Sequence, residues 1–80
     1  MQLKIRLYGI TKDIIGQTWI SLDVPKTSKV QDLLYNLKTT YPGLTKLHSV
    51  LVAVNDEYAK PEFELNANDE IALIPPVSGG

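Results

Sequence analysis

The sequence predicts an α+β roll: a mixed β-sheet with one main helix packed on one face and a short tail projecting beyond the last strand. Three observations carry that expectation. Leu3, Ile5 and Leu7 alternate with Gln2, Lys4, Arg6 and Tyr8, the two-residue period of a strand with one buried side. The period changes at Val30, Leu33, Leu34, Leu37 and Tyr41 to intervals of three and four, the apolar stripe of an amphipathic helix that must pack on something flat. Farther on, "SVLVAVN" and "EIALI" are short, strand-like runs set off by turn residues. A chain of 80 residues has room for one core only, so a single folded domain is expected over residues 1–74, followed by an extended tail over 75–80.

Each element follows from its own residues. In "QLKIRLY" Tyr8 falls on the outward phase. Gly9 and Gly16 bracket "GITKDIIGQ", which reads as a short turn. "TWISLDV" resumes strand alternation, with Trp19, Ser21 and Asp23 on one side and Ile20, Leu22 and Val24 on the other, so that the opening segment forms a hairpin. After Pro25, "SKVQ" supplies a capping box between Ser28 and Gln31 and starts the helix, which Pro42 and Gly43 stop. "SVLVAVN" is a central strand turning at Asn55 and Asp56. Pro61 demotes "EYAKPEFEL" to an edge strand or loop. "NAND" turns the chain into "EIALI", and Pro75 and Pro76 end that strand because they donate no ladder hydrogen bond. Pairing the last strand beside the first places Ile74 near Tyr8, a pattern that fits the β-grasp architecture.

Composition removes several classes of function. The formal charge of -1 lacks the clustered basic excess of a nucleic-acid binder. Six of the nine acidic residues lie after position 50, either as a solvated acidic surface or as a means of steering toward a basic partner. With no cysteine there is no disulfide, thiolate ligand or thiol nucleophile. The opening stretch lacks the continuous apolar core of a signal peptide, and no run approaches the ~18 apolar residues of a membrane span, so a cytoplasmic location is expected. His48 is the sole histidine and has no local acid partner, which favours a surface or loop role. The serines sit in no nucleophile elbow, and the glycines at 9, 16, 43, 79 and 80 form no phosphate cradle, so any ATP site belongs to another protein.

What remains is the main-chain carboxylate of Gly80. With a reference pKa of roughly 3.3–3.7 it is ionised at neutral pH and able to attack the α-phosphate of a nucleotide held elsewhere. Pro75 and Pro76 restrict the backbone to an extended course. The four residues from Val77 can reach ~13–14 Å, at ~3.3–3.6 Å each. Gly79 and Gly80 have no Cβ, so a narrow channel can close around them. On the residues alone, an activated tail and a plain frayed end both stand.

The closing "PPVSGG", preceded by "NDEIALI" and farther back by "LVAVN", resembles the small subunits of molybdopterin synthases. These are ubiquitin-like sulfur carriers, related to the thiamine sulfur carrier, that end in Pro-Pro-Val-(Thr or Ser)-Gly-Gly. The likeness spans the whole chain in length and element order, and the hexapeptide is its most specific part. It implies a ubiquitin-like β-grasp roll and a sulfur carrier in molybdenum cofactor biosynthesis. An adenylating enzyme would convert the Gly80 carboxylate to an acyl-adenylate with ATP, and a sulfur donor would turn that into a thiocarboxylate. The tail, Pro75, Pro76, Val77, Ser78 and Gly79, would enter the large synthase subunit, in a heterotetramer, and deliver sulfur to the pyranopterin precursor. By matching position, Tyr8, Tyr58 and Ile74 would be the apolar sites that dock both partners. No cofactor is expected to bind directly, no metal site is expected, and the chain alone is not expected to be an enzyme. The sequence departs from the family at Lys12, Asp13 and Ile74, where arginine, glutamate and an aromatic residue are common. The alternatives are a thiamine-type sulfur carrier or a ubiquitin-related protein modifier, which share the Gly-Gly ending.

Overall fold

A computed structural model describes residues 1–47 and 49–75 of the chain. The expectations for His48, Pro76, Val77, Ser78, Gly79 and Gly80 lie outside the described residues. In chain order the elements are β1 (Gln2–Leu7), α1 (Gly9–Ile15), β2 (Trp19–Asp23), α2 (Val30–Thr40), a 3-10 turn (Pro42–Lys46), β3 (Leu51–Val54), β4 (Glu57–Tyr58) and β5 (Ile71–Ile74). The five strands form one mixed sheet in the order β2-β1-β5-β3-β4. β1 and β5 run parallel, and every other pairing is antiparallel. The expected position of the last strand beside the first is therefore observed, β5 holds the middle of the sheet, and β3 is an interior strand between β5 and β4.

The alternation in β1 does what its period requires. Leu3, Ile5 and Leu7 are buried and, with Ile20, Val52, Val54, Ile71 and Leu73, make the inner face of the sheet. Val30, Leu33 and Leu37 of α2 close over that face, with Leu44 and Leu65 in the same core. Leu34 is only half-buried, and Tyr41 lies beyond the helix as its C-cap, donating its N–H to the carbonyl of Leu37 at 2.7 Å.

Two local readings are corrected. The segment between Gly9 and Gly16 is the helix α1, not a turn: Thr11 is fully buried, and Ile14 and Ile15 pack against the core. A helix of 7 residues is too short to form by itself, so its two flanking glycines outweigh its weak apolar pattern when read as sequence. The start of α2 also differs from the Ser28–Gln31 box. The N-cap is Lys29, whose N–H donates to the Asp32 carboxylate at 2.9 Å, while the Ser28 hydroxyl donates to the Pro25 carbonyl at 2.8 Å. The free donors of the first turn find tertiary partners: Val30 donates to the Phe63 carbonyl and Gln31 to that of Pro61. Most of the undecided "EYAKPEFEL" segment is thus a loop seated on the N-terminus of α2, and only Glu57 and Tyr58 are strand.

Asn55 and Asp56 form the two-residue turn from β3 to β4, both with positive φ (52° and 71°), as the primed hairpin turns demand. The Asn55 side chain reaches across to the loop before β5. Its amide donates to Asp69 at 3.0 Å and its oxygen accepts from the Glu70 N–H at 3.0 Å. Asn55→Ala loses both bonds and replaces a residue that tolerates the left-handed region by one that does so less readily, so unfolding free energy should fall by about 1–3 kcal/mol. Asn55→Gly, which keeps the backbone at ease, should lose less. Urea unfolding of the two variants separates the contributions of strain and hydrogen bonding.

Candidate functional site

The cross-strand register builds the site, because directly paired residues share a face. One row crosses the whole sheet on the side away from α2: Trp19 opposite Arg6, Arg6 beside Ala72, Ala72 opposite Ala53, and Ala53 opposite Tyr58. The next row, toward the end where β5 leaves the sheet, has Ile74 opposite Leu51. Tyr8 lies beside Ile74, one residue past the last parallel pair, Leu7 with Leu73. The exposed apolar groups are Tyr8 (46%), Leu51 (48%), Trp19 (51%) and Tyr58 (69%), with Ile74 half-buried between them. The two alanines keep the middle of the face low, and the aromatic side chains stand at its edges.

The three predicted interface residues therefore occupy one face. Tyr8 and Ile74 are adjacent, whereas Tyr58 stands three strands from Tyr8, about 14 Å away at ordinary strand spacing. Leu51 and Ala53 fill that interval. Leu51 is the member that the residue-by-residue reading missed, although the alternation of Leu51 and Ala53 with Val50, Val52 and Val54 carried the signal. The alternation sets Trp19 on one side of its strand with Ser21 and Asp23 but assigns it no role. Lys4 places its Nζ 5.4 Å from the Trp19 ring centre, within cation–π range, and so dresses that edge of the face with positive charge. At the opposite edge of the sheet Asp56 lies in the turn between β3 and β4, and Glu57, paired with Val54, belongs to the side that α2 covers.

Tyr8 is held rather than loosely displayed. Its N–H donates to the Thr11 hydroxyl at 3.1 Å, the same hydroxyl donates back to the Tyr8 carbonyl, and the Thr11 N–H meets that carbonyl at 3.2 Å. Pro75, the first residue of the predicted tail, is half-buried where the chain leaves β5. Among the described residues there is no cluster of three or more potential metal-ligating side chains, and no helix long and apolar enough to cross a membrane.

A five-stranded mixed sheet with parallel β1 and β5 side by side, crossed on one face by α2 and open on the other, defines a ubiquitin-like β-grasp protein. Within that class the chain belongs to the ThiS family, whose profile matches residues 5–80. It is 42% identical over 83 aligned residues to the molybdopterin synthase sulfur carrier subunit of Dictyostelium discoideum, covering 99% of this chain and 96% of that one. Identity to the molybdopterin synthase sulfur carrier subunit of Caenorhabditis elegans is 34%, over 100% of this chain and 99% of the relative. The crystal structure of SAMP1 from Haloferax volcanii superposes with a TM-score of 0.84 at 28% identity, each chain covered in full.

Proposed function

We propose that this chain is the sulfur-carrying subunit of a molybdopterin synthase and that Gly80 is its reacting residue. Residues 1–74 are the docking body and residues 75–80 the working tail, with Pro75, Pro76, Val77, Ser78 and Gly79 entering the partner. The Gly80 carboxylate attacks the α-phosphorus of ATP on an activating enzyme, expelling pyrophosphate and leaving an acyl-adenylate. Hydrosulfide, or its equivalent on a sulfur donor, then adds to the acyl carbon and displaces AMP, which gives the thiocarboxylate. Inside the large synthase subunit that sulfur passes to the pyranopterin precursor, and water restores the carboxylate. The ATP site and the catalytic side chains are the partners' own, the chain alone is not an enzyme, and the cycle runs in the cytoplasm.

One observation carries this reading: β5 delivers its last residue, Ile74, into the exposed apolar face between Tyr8 and Leu51. A protein bound on that face therefore lies next to the place from which the reacting end departs, so docking and insertion can occur in one event. Full-length identity of 42% to a sulfur carrier subunit supports the same assignment. Incubation with ATP, the activating enzyme and sulfide should raise the intact mass by about 16 Da, one oxygen replaced by sulfur. An unchanged mass under conditions that load a known carrier would overturn the proposal. A second reading, a protein modifier joined through Gly80 to lysines, draws on the 28% identity to SAMP1. It predicts covalent adducts of this chain in cells.

A further inference from the structure

At the junction of β1 and α1, Gly9 comes close to the root of the tail. Its φ is 55°, and an ideal Cβ built there would stand 3.0 Å from Cγ of Pro75 and 4.0 Å from its Cδ. Carbon atoms in good contact lie about 3.5–4.0 Å apart, so a side chain at this position would press the proline ring away by a few tenths of an ångström. The neighbouring backbone has little room to yield. Tyr8 is clamped on both its N–H and its carbonyl by Thr11, which is completely buried. Pro75 is equally stiff, since its ring fixes φ. Two rigid pieces thus meet where β1 turns into α1 and where the chain leaves β5.

We infer that Gly9 is a positioning residue for the reactive end. It is the seat on which Pro75 rests, and that seat sets the direction in which the chain sets out toward Gly80. The inference rests on the sulfur-carrier reading above but adds to it a residue far from Gly80 in sequence. The mechanical case is one of leverage. Gly80 lies five positions beyond Pro75, a span of up to about 17 Å. A change of about 10° at the root would displace an extended end by about 3 Å, and misplacement by ~1 Å can slow a reaction about a hundredfold. The partner's channel would have to bend the tail back before the carboxylate reached the nucleotide or the precursor. Gly9 makes no contact with the reacting atoms; it acts through Pro75.

The fold contains its own control. Gly16 also has a positive φ, 84°, but a Cβ there meets nothing within 4 Å. Gly16→Ala therefore imposes backbone strain without touching the tail, whereas Gly9→Ala imposes both. In the full-length chain both variants should lower the urea midpoint, Gly9→Ala by no less than Gly16→Ala. Only Gly9→Ala should slow single-turnover sulfur transfer at saturating large subunit, by tenfold or more, with its affinity for that subunit changed less than threefold. Combining it with Pro75→Ala, which removes the obstructed Cγ, should return the rate to within about threefold of Pro75→Ala alone. Equal slowing by Gly16→Ala, or no rescue in the double variant, overturns the inference while leaving the sulfur-carrier reading intact. A parent chain that gains no sulfur overturns that reading instead. The seat is then still read by nuclear Overhauser contacts between residue 9 and the Pro75 ring. They should be strong in the parent and displaced in Gly9→Ala but not in Gly16→Ala; their absence from the parent refutes the seat.

Discussion

A chain lengthened by one alanine after Gly80 gains no sulfur and supports no cofactor synthesis, yet unfolds at the same urea concentration as the parent. The expectation comes from where the two properties reside. Stability is a matter of the inner sheet face and α2, with Leu3, Ile5, Leu33, Leu37 and Leu73 completely buried. No residue of that core belongs to the proposed tail. The added residue converts the Gly80 carboxylate into an amide and moves the acid group by about 3.5 Å, one extended residue. Orientation effects alone, near a hundredfold for each ångström of misplacement, predict a loss of at least a thousandfold in loading. Intact mass after incubation with the activating enzyme measures the loading, and urea unfolding monitors the fold. An extended chain that acquired and transferred sulfur at the parent rate would show that the terminal carboxylate is not the reacting group.

The sheet was legible in the sequence because each strand carries a period that survives without tertiary help. Leu3, Ile5 and Leu7 had to share a face whatever lay above them, and Asn55 and Asp56 declared their turn through chemistry suited to positive φ. What was not legible was set by contacts distant in sequence. α1 is stable because Thr11, Ile14 and Ile15 find the core, and the first turn of α2 is completed by carbonyls of Phe63 and Pro61, some thirty residues farther on. The capping residues followed from that arrangement, which is why Lys29 and Asp32 took the place expected for Ser28 and Gln31. The candidate site divides in the same way. Tyr8 and Ile74 could be joined by pairing the first strand with the last. The run from Trp19 through Ala72 to Tyr58, and the place of Leu51 within it, required the register of four strand pairs at once.

That register makes Leu51 the sharpest test of the docking face. It stands opposite Ile74, with Ala53 and Tyr58 in the adjoining row, close to the middle of the exposed apolar surface. Leu51→Asp would place a carboxylate where a bound partner excludes water, and a charge buried there without a counter-ion is expensive. Central apolar positions of an interface cost about 2–4 kcal/mol when spoiled, which is roughly 30- to 1000-fold in affinity. Because Leu51 is about half exposed (48%), the folded chain itself should tolerate the change with a loss near 1 kcal/mol, the scale of strand preference. Tyr35 supplies the comparison: it is more exposed (76%) and lies on α2, across the molecule from the open sheet face. Tyr35→Asp should leave binding to the large subunit within about twofold of the parent, because an exposed rim or distant position contributes little. Calorimetric titration of both variants against the large subunit decides the matter. If Leu51→Asp binds as tightly as Tyr35→Asp, the partner does not sit on this face, and the nearness of Ile74 to the docking surface loses its meaning.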